Sequence, residues 1–155
     1  MIRPCLVAAA CLTLAAAAPA PTGSRLEAME QEASRRVNDI RREHGLPPFR
    51  IDPALTRAAR EHSCRMARGK FLAHEAPDGR TVADRVRATG RRFRVLGENL
   101  AMNTDMDDPA ATAVRGWLAS PSHRDNLLHP EYTHTGLGVC AGRPGYYFTQ
   151  IFLRP

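Results

Sequence analysis

The chain is poor in lysine, in long apolar stretches and in the compact motifs that mark common catalytic sites. Lys70 is the single lysine among 22 basic residues, and the arginines are spread along the chain instead of forming a run. This spread favours a solvated basic surface over a nucleic-acid-binding stripe, and no nucleic-acid motif accompanies it. Neither HExxH nor a CxxC pair is present, so spacing alone reveals no metal site. No apolar segment after residue 20 is long enough to predict a transmembrane helix.

The first twenty residues differ in composition from the rest and predict a cleaved secretory signal. Arg3 supplies a positive charge, Leu6 to Ala18 form an apolar core, and small residues follow where signal peptidase would cut. Cys11, preceded by three alanines, offers lipoprotein processing as an alternative. We therefore expect residues 1–20 to be a signal peptide and residues 21–155 to form one domain that is secreted or lies in the periplasm or cell envelope.

The cysteine content and the net charge are both compatible with a protein outside the cytoplasm. Without the signal, the chain keeps two cysteines, Cys64 and Cys140. In an oxidising compartment an isolated pair is a disulfide candidate, and two buried free thiols are the alternative. The formal net charge of +6 at pH 7 permits attraction to an anionic cell envelope.

Local signals predict four helices. The first runs from Ser24 towards Gly45, with apolar residues at intervals of three and four. Asp52-Pro53 and Asp108-Pro109 each combine an N-cap residue with proline at the first helical position, which predicts the starts of the second and fourth helices. Thr81 to Asp84 has the spacing of a capping box and begins a short third helix.

Strands are predicted mostly late in the chain. Gly136 to Cys140 and Tyr146 to Leu153 are apolar, and a Gly-Arg-Pro-Gly turn separates them. The segment Phe93 to Ala101 is apolar but interrupted by Gly97-Glu98-Asn99, so we expect an irregular strand or loop there. Helices first and strands late favour an α+β fold, with an antiparallel sheet packed on helices, over a doubly wound parallel sheet.

Three ionisable residues stand out by their surroundings. His74 follows the second helix in an apolar loop, Glu98 interrupts an apolar segment, and His123 lies in a Ser-Pro-Ser-His turn. If they converge, two imidazoles and a carboxylate suffice to bind a divalent cation such as zinc, or to form the acid/base pair of a hydrolase. Alternatively, they are hydrogen-bonded polar groups that pin a helix to the sheet.

The remaining polar candidates have local explanations. Ser120 and Ser122 lack the sequence of a nucleophile elbow, and we expect Ser120 to end the fourth helix. Histidines near helix ends or on helical faces commonly make local hydrogen bonds or pack at the core boundary. Four histidines are expected in such positions: His44, His62, His129 and His134.

Several motifs in order resemble the CAP superfamily, the domain of cysteine-rich secretory proteins, antigen 5 and pathogenesis-related 1, also called the SCP domain, in its shorter bacterial form. They cover nearly the whole chain after Gly23. The matching segments are Val37–Arg41 with Gly45–Pro48, Ile51–Leu55, Phe71–His74, Gly97–Ala101, Trp117–Leu128, Gly136–Val139 and Tyr147–Phe152.

The resemblance implies an α-β-α sandwich, a small antiparallel sheet between helical layers, with a central cleft lined by two histidines and two glutamates. Matched by motif, His74, Glu98 and His123 would line that cleft. Ser120 stands where the family has its second glutamate, which implies weaker metal binding.

Family members are linked to lipid or sterol binding, metal binding, signalling and proteolysis, so the fold alone does not define an activity. We expect a secreted binding or interaction module for a lipid-like or sterol-like molecule, a cell-envelope component or a divalent metal. A hydrolase using Glu98 with His74 or His123 is the alternative.

Overall fold

The computed structural model describes residues 23–105 and 107–155. The signal peptide expected at residues 1–20 and the alternative processing site at Cys11 lie outside the described residues. In the described part of the chain, no helix has the length and apolar character needed to cross a membrane. The helices and strands occur in the order α1 (Gly23–Glu43), β1 (Arg50–Ile51), α2 (Pro53–Gly69), α3 (Val82–Ala88), β2 (Val95–Asn103), α4 (Pro109–Ala119), α5 (Pro121–Leu128), β3 (His134–Ala141) and β4 (Tyr146–Arg154).

The predicted helix starts are confirmed by the hydrogen bonds that cap them. The Asp52 side chain accepts a bond of 2.8 Å from Ala54 N, and Pro53 takes the first turn of α2. Thr81 and Asp84 form a complete capping box at the start of α3. Asp108 accepts a bond of 3.0 Å from Ala111 N at the start of α4. Each cap satisfies a backbone N–H that the helix itself leaves unpaired.

Two local predictions were wrong. The segment around Glu98 is the regular strand β2, which pairs in unbroken register with β4 from Val95 opposite Arg154 to Asn103 opposite Tyr146. Gly97 does not interrupt this strand; a Cβ there would overlap the side chain of Tyr132, so glycine provides space. The predicted turn at His123 is the first turn of α5, with Pro121 near its start, where a missing N–H costs no hydrogen bond.

The sheet has the strand order β1-β3-β4-β2. β3 pairs antiparallel with β4, and β4 antiparallel with β2, as predicted, but β1 pairs parallel with β3. The expected antiparallel sheet is therefore mixed. β1 covers only His134 and Thr135 of the eight-residue strand β3. Within the described part of the chain, no strand lies beside the rest of the outer edge of β3.

Helices cover both faces of the sheet, so the predicted α+β sandwich with three layers is confirmed. Side chains of α1, α4 and α5 pack on one face in a core that contains Trp117, whose Nε1 donates to Leu100 O at 2.9 Å. Side chains of α2 and α3 pack on the other face. At Gly136 and Gly138 a Cβ would collide with the backbone of α2, so these glycines let α2 lie directly on β3.

A disulfide reinforces this contact between α2 and β3. Cys64 of α2 is bonded to Cys140 of β3, with 5.0 Å between their Cα atoms. The disulfide alternative is thus confirmed over that of two free thiols. The neighbouring Ser63 hydroxyl lies 2.9 Å from Gly138 O and 2.8 Å from Thr149 Oγ1, so α2 is held to both central strands.

Candidate functional site

The register of β2 determines where Glu98 points. Glu98 lies opposite Ile151, and Ile151 packs in the core formed with α2 and α3. Directly opposed residues of an antiparallel pair share a face, so Glu98 points towards α2 and α3. Its side chain is only 2% exposed, and a carboxylate so deeply buried needs compensation of its charge.

Both carboxylate oxygens of Glu98 are engaged. Nδ1 of His74 lies 2.9 Å from Oε1, and a guanidinium nitrogen of Arg85 donates to Oε2 at 2.6 Å. Arg85 is itself buried, with 9% of its side chain exposed, and it also donates to the main-chain oxygens of His74 and Arg80, each at 3.1 Å. Arg85 therefore links α3, the loop that carries His74, and β2.

Arg85 was missed by the sequence analysis. The sequence indicates such a residue only indirectly. A carboxylate in an apolar segment, such as Glu98, needs a nearby cation if it is buried, and α3 contains two arginines, Arg85 and Arg87. No short spacing identifies which arginine makes the contact, because 13 residues separate it from Glu98.

The hydrogen bond to Glu98 governs the protonation of His74. A carboxylate accepts, so Nδ1 of His74 carries the hydrogen and Nε2 points away from Glu98. The hydrogen bond to Glu98 raises the pKa of His74, against the smaller effect of burial, which lowers it. More than half of the His74 side chain, 59%, is exposed, so its free nitrogen is accessible.

His62 lies in the core next to this group, as predicted for a buried or boundary histidine. Its Nε2 donates to Ala73 O at 2.9 Å, which leaves Nδ1 as an acceptor without a partner among the described residues. Burial lowers the pKa of His62, and the positive charge of Arg85 lowers it further. Both effects favour the neutral form of His62, and its bond to Ala73 O supports the loop that carries His74.

His123 approaches the site from the opposite face of β2, the strand at the edge of the sheet. Its main-chain oxygen accepts a bond of 2.9 Å from the side chain of Asn99. Burial lowers the pKa of His123, and the charge of nearby His74 lowers it further. Among the described residues, no hydrogen bond joins its imidazole to His74 or Glu98. The structure thus brings His74 and Glu98 into contact and places His123 beside them.

Asn99 and Asn126 fix the position of α5 relative to β2. The Asn126 side chain donates to Asn99 Oδ1 at 2.9 Å and to Glu98 O at 3.3 Å. Ser120 caps the end of α4, as predicted, and its hydroxyl lies 3.5 Å from that of Ser122. Neither hydroxyl contacts a histidine in the part of the chain that is described, so this region contains no assembled serine nucleophile.

Glu98 has no oxygen free to bind a metal ion, because Arg85 and His74 occupy both of its carboxylate oxygens, and Ser120 supplies no second carboxylate. Nε2 of His74 takes no part in these contacts. Over residues 23–105 and 107–155, no group of three or more histidine, cysteine, aspartate or glutamate side chains is placed to hold a metal. The metal role of His74 and His123 therefore stays a prediction, and no chemical step here depends on it.

A groove lies elsewhere, between α1 and α2 along the uncovered edge of β3. Its volume is about 720 Å³, and Ile51, Pro53 and Leu137 give it an apolar floor. It does not include His74, Glu98 or His123. Polar and charged side chains complete its lining: Glu27, Glu30, Gln31, Ser34, Arg35, Asn38, Arg42, Thr56, Arg57 and Arg60.

Glu30 and Arg60 close one end of this groove. Arg60 Nε donates to both carboxylate oxygens of Glu30, at 2.8 and 3.0 Å, which connects α2 to α1 around the sheet edge. The same carboxylate accepts a bond of 3.0 Å from Val139 N, a backbone group on the uncovered edge of β3.

The chain is an α+β sandwich of three layers, with a histidine and a glutamate in contact at one edge of the sheet. Comparison with known sequences identifies the family of proteins to which such a chain belongs. The profile of the cysteine-rich secretory protein (CAP) family matches residues 34–152. The chain belongs to the CAP family.

Relatives and solved structures agree with this assignment. The uncharacterized protein YkwD of Bacillus subtilis is 30% identical over 130 residues, which are 84% of this chain and 49% of YkwD. A crystal structure of an extracellular SCP-domain protein from Bacillus anthracis is also 30% identical, has a TM-score of 0.75, and is matched over 89% of this chain and 45% of its own. An outer surface protein from Borrelia burgdorferi shares the fold, with a TM-score of 0.74 at 20% identity over 83% of this chain and 93% of its own. The chain thus spans about half the length of YkwD and of the Bacillus anthracis protein.

Proposed function

We propose that this CAP domain is an extracellular binding module whose groove between α1 and α2 holds a lipid-like ligand with an acidic head. The observation that carries the proposal is the groove itself, which combines an apolar floor with an arginine at its rim. Ile51 is 51% exposed there, so apolar surface is available to a ligand. Arg57 makes no side-chain hydrogen bond or ion pair to the described residues, and it would bind the acidic head.

The Glu98 site supports a binding role over a catalytic one. Glu98 already receives His74 and Arg85, and a carboxylate with both oxygens engaged is a poor base towards water. In this proposal His74, Glu98 and His123 form a polar cleft that is separate from the groove. The groove binds the apolar part of the ligand, and Arg57 at its rim binds the acidic head.

Replacing Ile51 with Asp should weaken binding of a fluorescent long-chain fatty acid by roughly tenfold, because burial of this side chain contributes to binding and a carboxylate would repel the acid. Fluorescence titration measures the effect. The corresponding fatty alcohol should bind more weakly than the acid, and Arg57→Ala should remove that difference.

Leu72→Asp is the matched control. Leu72 is also 51% exposed but lies outside the groove, so its replacement introduces the same charge without touching the ligand. Absence of fatty-acid binding by the wild-type protein, or equal losses in the two variants, would contradict the groove as the site.

A hydrolase is the second candidate, and the His74–Glu98 hydrogen bond is the observation in its favour. With Nδ1 held by Glu98, Nε2 of His74 can accept a proton from a water molecule as that water attacks an amide or ester carbonyl, and can pass the proton to the leaving group. In this role His74 is the base and Glu98 orients it, whereas the sequence predicted only that Glu98 acts together with His74 or His123.

If the protein hydrolyses peptide or cell-wall substrates, activity should rise with pH through a midpoint above the ordinary histidine value of about 6.5. The base is the neutral form, and the bond to Glu98 raises the pKa of His74, so the neutral form appears at higher pH. His74→Ala should abolish the activity. His44→Ala is the control, because His44 only bonds Ile40 O at the end of α1; activity that survives in His74→Ala eliminates this mechanism.

Secretion is part of the proposal. The residues at 1–20 have the composition of a signal peptide, and the solved relatives include an extracellular protein and an outer surface protein. The disulfide between Cys64 and Cys140 is typical of an oxidising compartment. Edman sequencing or mass spectrometry of the protein recovered from outside the cytoplasm locates the cleavage site and distinguishes it from processing at Cys11.

A further inference from the structure

The fold gathers exposed arginines at one end of the sheet, although the sequence spreads them along the chain. This basic end comprises Arg50, Arg87, Arg91, Arg92 and Arg94, all exposed. They come from β1, from the last turn of α3 and from the loop between α3 and β2.

Strand register places the members of the basic end close together. Arg50 of β1 pairs with His134, which pairs with Leu153 of β4. Arg94, just before β2, donates its N–H to Arg154 O at 2.8 Å on the other side of β4. Neighbouring strands lie about 4.8 Å apart, so Arg50 and Arg94 are about three strand spacings apart across the same end of the sheet.

Arg91 connects the loop to the start of α2. Its Nε lies 2.8 Å from Asp52 Oδ2, and a second nitrogen donates to Asp52 Oδ1 at 3.1 Å. Because Asp52 follows β1 directly, this contact holds the α3–β2 loop beside Arg50. Arg92 and Arg94, which follow Arg91 in this loop, are therefore held over the same surface.

The positive charge of the basic end is incompletely balanced. Asp52 compensates Arg91, and Asp84 lies 3.6 Å from Arg87 in an exposed pair. Arg50, Arg92 and Arg94 make no side-chain hydrogen bond or ion pair to the described residues. Three guanidinium groups on a single exposed surface are thus available to an outside partner.

We propose that the basic end docks the protein onto an anionic lipid bilayer. Guanidinium groups form paired hydrogen bonds with phosphate oxygens, and each basic residue near an anionic surface adds to the attraction. The three available arginines come from two separate elements, β1 and the loop between α3 and β2, and this spread suits a plane of many phosphates better than one small anion. The arginines of the basic end do not line the groove, although Arg50 adjoins its residue Ile51. The proposal stands whether or not the groove binds a lipid.

The test measures sedimentation of the whole protein with vesicles of phosphatidylcholine alone or of phosphatidylcholine with phosphatidylglycerol. Wild-type protein should bind the anionic vesicles, and added sodium chloride should release it. Arg92→Glu/Arg94→Glu should reduce the partition coefficient by roughly 30-fold or more, since each arginine near the surface contributes about fivefold.

The matched control reverses two arginines at the other end of α2 and of the sheet, Arg68→Glu/Arg143→Glu. Both are exposed, and the 17-residue helix α2 separates them from the basic end by about 25 Å. The change in net charge is identical, so the control should bind nearly as well as the wild type. Equal losses in both variants would show that net charge alone acts, and failure of the wild type to bind anionic vesicles would also overturn the proposal. Inorganic phosphate that releases the protein more strongly than sodium chloride of equal ionic strength would overturn it too, in favour of a discrete phosphate site.

Discussion

Glu98→Gln is expected to lower the free energy of unfolding by about 3 to 5 kcal/mol, because it leaves the buried Arg85 cation without its carboxylate. The replacement preserves the shape of the side chain and removes only its charge. Both partners are almost fully buried, with 2% of the Glu98 side chain and 9% of the Arg85 side chain exposed, so solvent cannot compensate. Urea unfolding of the purified protein measures the change.

Glu131→Gln is the control for this experiment. Its partner Arg154 is 3.5 Å away, and both side chains are about half exposed, so its loss should cost less than about 1 kcal/mol. The double variant Glu98→Gln/Arg85→Met should recover much of the stability, since no unpaired charge then stays buried. A loss below about 1 kcal/mol in Glu98→Gln would show that the contact with Arg85 contributes little to folding.

The Glu98 site can have two roles: a structural contact between α3 and β2, and a binding or catalytic role of His74. The urea experiment measures the first. A pin between α3 and β2 requires Glu98 and Arg85, which bury their charges, but it does not require the exposed ring of His74. His74 therefore remains available to a ligand or a substrate even where the contact beneath it is structural.

Arg41→Met should cost about 3 kcal/mol or more, because it removes the donor shared by several buried carbonyl groups. Arg41 is 1% exposed. It donates to Pro47 O at 2.9 Å, to Leu127 O at 2.8 Å and to His129 O at 3.1 Å, and its guanidinium lies 3.8 Å from the ring centre of Phe49. No carboxylate within the described residues pairs with it.

Arg42→Met tests whether this cost is specific. Arg42 is the next residue of α1, and its exposed side chain only pairs with Asp39, so less than about 1 kcal/mol is expected. Thermal and urea unfolding of both variants should therefore differ clearly. Similar stabilities would mean that water or a shift of the chain after α5 replaces the donors that Arg41 supplies.

The sequence predicts those parts of the fold whose signals are local. Asp52-Pro53 and Asp108-Pro109 begin helices because the capping side chain and the proline act within one turn. Ser120-Pro121 carries a similar signal, but the eight residues of α5 contain a single buried residue, Leu127, and thus lack the apolar periodicity that distinguishes a helix from a turn. The strand at Glu98 was misjudged because a polar residue directed at a buried arginine looks like an interruption.

The candidate site was only partly predictable, because some of its contacts join residues that are far apart in the sequence. The motif resemblance selects His74, Glu98 and His123, and the first two are in contact; their role as a functional site stays a prediction. The pairing of Cys64 with Cys140 was predictable as one of two alternatives, because no other cysteine remains after residue 20. The contact of Arg85 with Glu98 depends on tertiary structure, and no local rule relates the two residues. The groove is less predictable still, because residues from α1, β1, α2 and β3 form it together.

The hydrogen bond from Val139 N to Glu30 has a consequence for solubility. A strand edge with unpaired N–H groups can recruit a strand from another molecule and so begin aggregation. β1 covers only two residues of β3, and the buried carboxylate of Glu30, held by Arg60, occupies the next part of that edge. The ion pair between these two helices thereby removes one N–H of this edge from pairing with another copy of the domain.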